Sequence, residues 1–248
     1  MKKEQDKTYH IEPLFEHFNE NHELKIMGYQ HILNNLANNH LKNTNQGVGV
    51  VLFGRYAWVL VSMTFEIVKP ITKIKTYIGK TWYGGKKGPF YRREYLMYDE
   101  DGDVFVKGSS HSILMDLTDR SVYRKKDLPF NELNEVNDYL VSSNARLKEN
   151  FDFNILFEKR KVLNSHVDAL GHVNNLRYTE FIYDAWTNYE VENINKIKRF
   201  ELYFENELRK NDKFEVRKGE EGGKVVYTIY NNTLDKKAFS LVYTLTKE

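Results

Sequence analysis

The sequence predicts an α+β fold built as two similar halves, each a long helix packed on an antiparallel β-sheet. Three observations carry that expectation. Apolar residues recur at helical spacing at Tyr29, Ile32, Leu33, Leu36 and Ala37, and again 149 residues on at Tyr178, Phe181, Ile182, Ala185 and Trp186. This i, i+3, i+4, i+7, i+8 stripe is one face of an amphipathic helix. Each stripe is followed by several runs rich in β-branched and aromatic residues, cut by turn-forming sequences. The period is far longer than that of a solenoid, so it points to a duplicated domain with helix against sheet.

Composition narrows the classes. The 248 residues suit one large domain or two ordinary ones, with 41% hydrophobic and 29% charged residues, the balance of a globular chain. Net charge is +2, too small to imply a nucleic-acid partner. No apolar run reaches the ~18 residues of a membrane span. The charged start, Met1-Lys2-Lys3-Glu4, has no apolar segment after it and predicts no secretory leader, so a cytoplasmic location is expected. Cysteine is absent, which excludes disulfides, thiolate metal sites and a cysteine nucleophile. No HxH or HExxH spacing occurs, and no metal or other cofactor is expected. Gly84-Gly85-Lys86-Lys87-Gly88 lacks the order of a phosphate loop. The 17 Tyr and 15 Phe are first a β-sheet composition and second a source of walls for an apolar ligand.

In chain order, Tyr9 to Phe18 reads as a first strand, and Asn19-Glu20-Asn21-His22-Glu23 as a polar turn. The first helix follows from Tyr29, ending in the Asn-rich stretch from His40 to Gln46 that closes on Gly47. Strands are predicted at Ala57 to Val68, Ile71 to Tyr83, Phe90 to Tyr98 and Val104 to Leu117. Lys69-Pro70, Gly84-Gly85 and Asp99-Glu100-Asp101-Gly102-Asp103 punctuate them. The last has acidic residues at alternate positions, but it lacks the remaining ligands of a calcium loop and reads as a hairpin turn. Ser121 to Asn150 is polar, with a short helix start at Pro129-Phe130-Asn131-Glu132, and connects the halves. A strand at Phe151 to Val162, the second helix, and strands at Lys198 to Glu207, Lys213 to Lys218, Val225 to Tyr230 and Ala238 to Thr246 complete the repeat. The expected division is residues 1–130, a linker over 131–149, and 150–248.

Chemistry is expected at the second helix start, Val167-Asp168-Ala169-Leu170-Gly171-His172-Val173-Asn174-Asn175. An acid and a histidine four residues apart at a turn suit acid/base work. The unpaired N–H groups of a helix start can hold developing negative charge. Duplication supplies a control, because at the same offset Asp168 corresponds to Asn19 and His172 to Glu23. Packing needs only the apolar stripe, so the pair is an addition in one copy. Matching Phe204-Glu205 to Phe65-Glu66 places Glu207 opposite Val68, a further carboxylate present in one copy only.

The helix-start sequence resembles the Asp-x-x-Gly-His-Val-Asn-Asn-x-x-Tyr signature of hotdog-fold thioesterases. Ala57-Trp58-Val59-Leu60, Lys80 to Gly88, Tyr98 to Gly102 and Ser112 to Leu117 resemble, in order and spacing, the acyl-acyl carrier protein thioesterases. The likeness runs from about residue 8 to 246. It implies a double hotdog fold in which the second domain is catalytic and the first shapes much of the acyl pocket. By position it implies Asp168, His172 and Glu207 as catalytic residues. The family's Gly-Asp pair after the Glu is here Asn211-Asp212, and the amide that the family carries two residues after the Asp is here Leu170. Asn174 is then the polar side chain expected to take that place.

The resemblance implies hydrolysis of fatty acyl-acyl carrier protein to free fatty acid. Glu207 with His172 would activate water, and Asp168 would orient the site. Backbone N–H groups around Gly171, His172 and Asn174 would hold the oxyanion. Direct attack by a carboxylate, through an anhydride, is the alternative. The carrier is acidic, so its docking face is expected at Arg177, Lys196, Lys198 and Arg199, or at Lys86, Lys87, Arg92 and Arg93. A monomer or homodimer is expected. The competing readings are an acyl-CoA thioesterase, a non-catalytic acyl-binding protein and a hotdog dehydratase.

Overall fold

A computed structural model describes residues 8–43, 54–125, 128–129, 134–149, 151–153 and 155–244. The β-rich runs become β1 (Tyr9–Ile11), β2 (Tyr56–Ile67), β3 (Tyr77–Lys87), β4 (Phe90–Tyr98), β5 (Val104–Asp116) and β6 (Ser121–Val122) in the first half. The second half supplies β7 (Ile155–Lys161), β8 (Arg199–Phe204), β9 (Lys213–Glu221), β10 (Lys224–Asn231) and β11 (Lys236–Thr244). The helices are α1 (Ile26–Asn43), α2 (Asn175–Tyr183) and α3 (Asn188–Glu192).

The strands form one 11-stranded sheet in the order β1-β3-β4-β5-β2-β8-β11-β10-β9-β7, with β6 on β5. Read from either edge inward, the two halves have the same order. They meet where β2 pairs antiparallel with β8, Phe65 opposite Phe200 and Thr64 opposite Glu201. Joining the halves through backbone hydrogen bonds removes two inner edges that would otherwise be unpaired.

Both main helices lie on one face of the sheet. Buried Tyr29, Ile32, Leu33 and Leu36 of α1, and Tyr178, Phe181 and Ile182 of α2, join Phe65, Phe200, Phe239 and Tyr243 in one core. The helices touch through a polar seam. Thr179 Oγ1 donates to Gln30 Oε1 at 3.0 Å, and Gln30 Nε2 donates to the Asn175 carbonyl at 3.2 Å. Both side chains are fully buried, so these bonds satisfy groups that would otherwise cost ~1–3 kcal/mol each. Gln30 and Thr179 occupy equivalent places in the two helices, so the pseudo-twofold axis passes between them.

The connection between halves runs over the opposite face. Trp82 Nε1 donates to the Asp138 carbonyl at 3.1 Å, Leu140 N–H to Glu94 Oε2 at 2.9 Å, and Ser62 Oγ to the Asn144 carbonyl at 2.8 Å. Leu147, Phe151 and Phe153 then cover Tyr203, Val226 and Val242.

Two expectations change. The first strand is only Tyr9–Ile11, because Leu14 onward bends into a 3₁₀ turn at Phe15–His17. The second helix is not long: α2 ends at Tyr183 and α3 restarts at Asn188. Thr187 caps α3, and Glu190 reaches back to the Thr187 N–H at 2.9 Å and Oγ1 at 2.8 Å. Glu190 is itself pinned in the core by Tyr227, Tyr243 and Lys218, which a continuous helix would carry it away from. Burial alone would raise its pKa, but hydrogen bonds from Tyr243, Thr187 and Tyr227 outweigh that and lower it. Asp99 to Asp103 is a hairpin turn as expected, closed by Gly102 N–H on the Asp99 carbonyl. The helix start expected at Phe130 to Glu132 and the Gln46-Gly47 stop lie outside the described residues.

Candidate active site

The turn before α2 is built by its own backbone. Asp168 N–H donates to the His172 carbonyl at 2.9 Å, and Gly171 N–H to the Asp168 carbonyl at 3.0 Å. Asp168 Oδ1 accepts from Leu170 N–H at 2.9 Å, an Asx turn. Gly171 sits at φ 82°, where residues with a Cβ are strained. Asn174 caps α2, its Oδ1 accepting from Leu176 N–H at 3.0 Å.

The first half reproduces this turn bond for bond at the offset read from the sequence. Asn19 N–H donates to the Glu23 carbonyl, His22 N–H to the Asn19 carbonyl, and Asn21 N–H to Asn19 Oδ1. Leu14 N–H meets His17 Nδ1 just as Leu163 N–H meets His166 Nδ1. The scaffold is therefore common and the side chains differ. Glu23, in the place of His172, accepts from Asn195 Nδ2, and burial raises its pKa. In the first half the turn serves packing between the halves.

After β8 the chain crosses under the turn. Val173 N–H donates to the Leu208 carbonyl at 2.8 Å, and Leu208 N–H donates to Tyr178 Oη at 2.8 Å. These two bonds fix Glu207, the preceding residue. Its Oε2 lies 3.5 Å from His172 Nε2, so the predicted pair is brought together. Asp168 does not touch Glu207 by any hydrogen bond; its carboxylate shapes the turn.

The assumed match of Glu207 with Val68 is wrong. Val68 and Lys69 N–H groups both bond the Phe105 carbonyl, as those of Glu205 and Asn206 bond the Ala238 carbonyl. Ile71 N–H meets Tyr29 Oη as Leu208 N–H meets Tyr178 Oη, so Glu207 stands opposite Pro70. Matching Phe-Glu pairs followed residue type, whereas hydrogen-bond register decides the correspondence. The contrast survives, since the first half still has no carboxylate there.

Of the amides expected to hold an oxyanion, those of Gly171 and Asn174 are engaged, whereas the His172 N–H takes no part in the turn's bonds. The amides of Leu170, Gly171, Val173, Asn174 and Leu176 are all spent on the bonds that make the turn, Asn174 N–H on the His166 carbonyl at 2.9 Å. A donor that the sequence did not reveal also stands beside the pair. Arg120, from the first half, places Nη2 2.7 Å from both Glu207 carboxylate oxygens and 3.1 Å from His172 Nε2. The guanidinium only donates, so its contact with His172 is a hydrogen bond in the tautomer whose Nε2 carries no proton. Arg209 Nη2 adds a looser contact to Glu207, 3.6 Å.

The expected basic clusters are partly consumed. Arg92 binds Glu94 and the Val141 carbonyl, Arg93 lies against His40 and Thr81, Arg177 pairs with Glu180, and Arg199 with Glu66 and Glu201. The lysines of those clusters, Lys86, Lys87, Lys196 and Lys198, are exposed. An open groove of 610 Å³ beside α2 is lined by Lys25, Met27, Leu163, His166, Arg177 and Phe181 among others; Asp168, His172 and Glu207 are not part of it. Among the described residues no group of His, Cys, Asp and Glu is arranged to hold a metal ion, and no helix is long and apolar enough to cross a membrane.

Residues 2–128 match the family described as the acyl-ACP thioesterase N-terminal domain, and residues 153–244 match the acyl-ACP thioesterase C-terminal domain. No curated protein matches the sequence. The fold is shared with an acyl-ACP thioesterase from Bacteroides thetaiotaomicron, at 19% identity and a TM-score of 0.76 over 98% of this chain and 99% of that one. It is shared also with the 12:0-ACP thioesterase of Umbellularia californica, at 15% identity and a TM-score of 0.73 over 98% and 97% of the two chains.

Proposed function

Since the chain belongs to the acyl-acyl carrier protein thioesterase family, hydrolysing fatty acyl-carrier thioesters on a double hotdog fold, we propose that Glu207 and His172 perform the chemistry. Their 3.5 Å approach in the second half alone is the observation that carries this reading. A water held between Glu207 and the substrate carbonyl gives its proton to the carboxylate as its oxygen attacks the carbonyl carbon. The tetrahedral intermediate collapses, the C–S bond breaks, and the departing thiolate takes a proton from the Glu207–His172 pair. Asp168 positions His172 through the turn. The first half lends Arg120 and, through α1, packs the helix that bears the site. Residues 1–130 and 150–248 are the two hotdog units joined by 131–149.

The carrier docks on the lysine-bearing parts of the two basic clusters. Turnover of acyl-carrier thioester and of the matching acyl-CoA at rising sodium chloride tests this. The reading predicts faster turnover on the carrier, falling with salt as surface charges are screened. Equal rates on both substrates, or a flat salt response, would count against it.

A further inference from the structure

We propose that Arg120 is a catalytic residue of this hydrolase: it seals the Glu207–His172 pair in the free protein and turns onto the thioester carbonyl when substrate binds. The inference rests on the reaction assigned above to Glu207 and His172. In the free protein one guanidinium nitrogen is shared among three acceptors, at 2.7, 2.7 and 3.1 Å. The guanidinium nitrogen lies against both carboxylate oxygens, on the ground between Glu207 and His172 that an attacking water must take. That water is seated there only after the guanidinium moves.

The surroundings say where it moves. The attacking water must sit against Glu207, and the carbonyl carbon about 3 Å from that water. The carbonyl oxygen then falls within reach of a guanidinium that began on the same carboxylate. The turn itself supplies few donors, because five of its amides are bonded elsewhere and Leu170 and Gly171 have no polar side chain, which leaves the His172 N–H and the Asn174 side-chain amide. Arg120 has five donors and a side chain 44% exposed, free to swing at its tip.

Its base is held firmly. Arg55 Nε binds Asp116 Oδ2 at 2.8 Å at the foot of the β5–β6 turn, and Asp116 Oδ1 accepts from Thr118 N–H. Ser121 N–H is held by Asp119 Oδ1. Arg120 itself adopts φ 56°, a left-handed conformation costing a non-glycine residue ~1–2 kcal/mol. A turn that bears such strain to present an arginine at two catalytic side chains is consistent with use of that arginine.

The test is steady-state hydrolysis of acyl-carrier thioester by Arg120→Gln, Arg120→Lys and Arg120→Ala. The expected result is a fall in kcat of about 10²–10³-fold for Arg120→Gln with KM changed far less, the scale of one lost oxyanion donor. Arg120→Lys should fall between, and methylguanidinium should restore part of the activity of Arg120→Ala where equal sodium chloride does not. Arg120→Gln with kcat within about threefold of wild type, or higher, would overturn the proposal, as would a loss that methylguanidinium leaves unrestored. An inactive wild type would instead sink the assigned reaction itself, so the two failures are distinguishable.

Discussion

Replacing Tyr178 by Phe removes one oxygen from the core and, with it, the acceptor for Leu208 N–H. That bond is 2.8 Å long, and both residues are buried, Tyr178 4% and Leu208 0% exposed. No water can replace the lost partner without entering the core, so the cost is that of an unsatisfied buried N–H, ~1–3 kcal/mol. For a chain of this size that is a fall in Tm of roughly 2–4 °C per kcal/mol. Tyr29 is the built-in control. Its hydroxyl accepts from Ile71 N–H at 3.2 Å in the equivalent place, and Tyr29 is equally buried. Tyr29→Phe should therefore lower Tm by a similar amount. The two differ in what sits next door: Leu208 follows Glu207, whereas Ile71 follows Pro70. Tyr178→Phe should lower kcat by about tenfold or more, since misplacement of a catalytic group by a fraction of an ångström is costly. Tyr29→Phe should leave kcat within about twofold. Thermal melts and fatty-acid release on both variants measure the two effects. Equal kcat losses in the two, or none in Tyr178→Phe, would refute the argument that the Tyr178 bond holds Glu207 for catalysis.

Two predictions concern the scaffold. Gly171→Ala should destabilise by ~1 kcal/mol, because φ 82° disfavours a Cβ while nothing within 4 Å obstructs one; His22 tolerates φ 60° at the equivalent place. A loss of unfolding free energy above ~3 kcal/mol in denaturant titration would mean that this turn is constrained beyond its backbone angle. Stability should also fall as pH drops from about 6.5 to about 4. Burial lowers the pKa of His17 and of His111 to about 4, so the unfolded chain binds protons in that window and the folded chain does not. The slope is at most ~1.4 kcal/mol per pH unit for each histidine, and this loss is absent above the unfolded value of 6.5. Equal denaturant midpoints at pH 7 and pH 5 would contradict it.

The sequence made the helices and their partners legible because the repeat is local. Tyr29 and Tyr178, Asn19 and Asp168, Leu14 and Leu163 fall at one constant offset, and the structure gives each pair the same hydrogen bonds. The helix-start motif pointed to the turn that holds Asp168 and His172, and the likeness in sequence pointed to Glu207, which the fold brings to His172; Asp168 stays with the turn. The strand correspondence was not, because the halves differ in length between helix and strand and side-chain type does not report register. The break after Tyr183 was hidden because the apolar stripe runs on through Trp186, while the cause lies in Glu190 meeting Tyr227 and Tyr243. Arg120 left no local signal: it reaches Glu207 only when β5 and β8 stand on either side of β2 in the assembled sheet.

The most direct test of the central claim is fatty-acid release from acyl-carrier thioester by the full-length chain beside Glu207→Gln, a near-isosteric change that removes the base. Glu207 is 36% exposed in its side chain, so the variant should fold with an unchanged melting profile. Release by the wild type is expected, with kcat reduced about 10²–10⁴-fold in the variant, the usual share of general acid–base catalysis. Wild-type kcat in Glu207→Gln would contradict it.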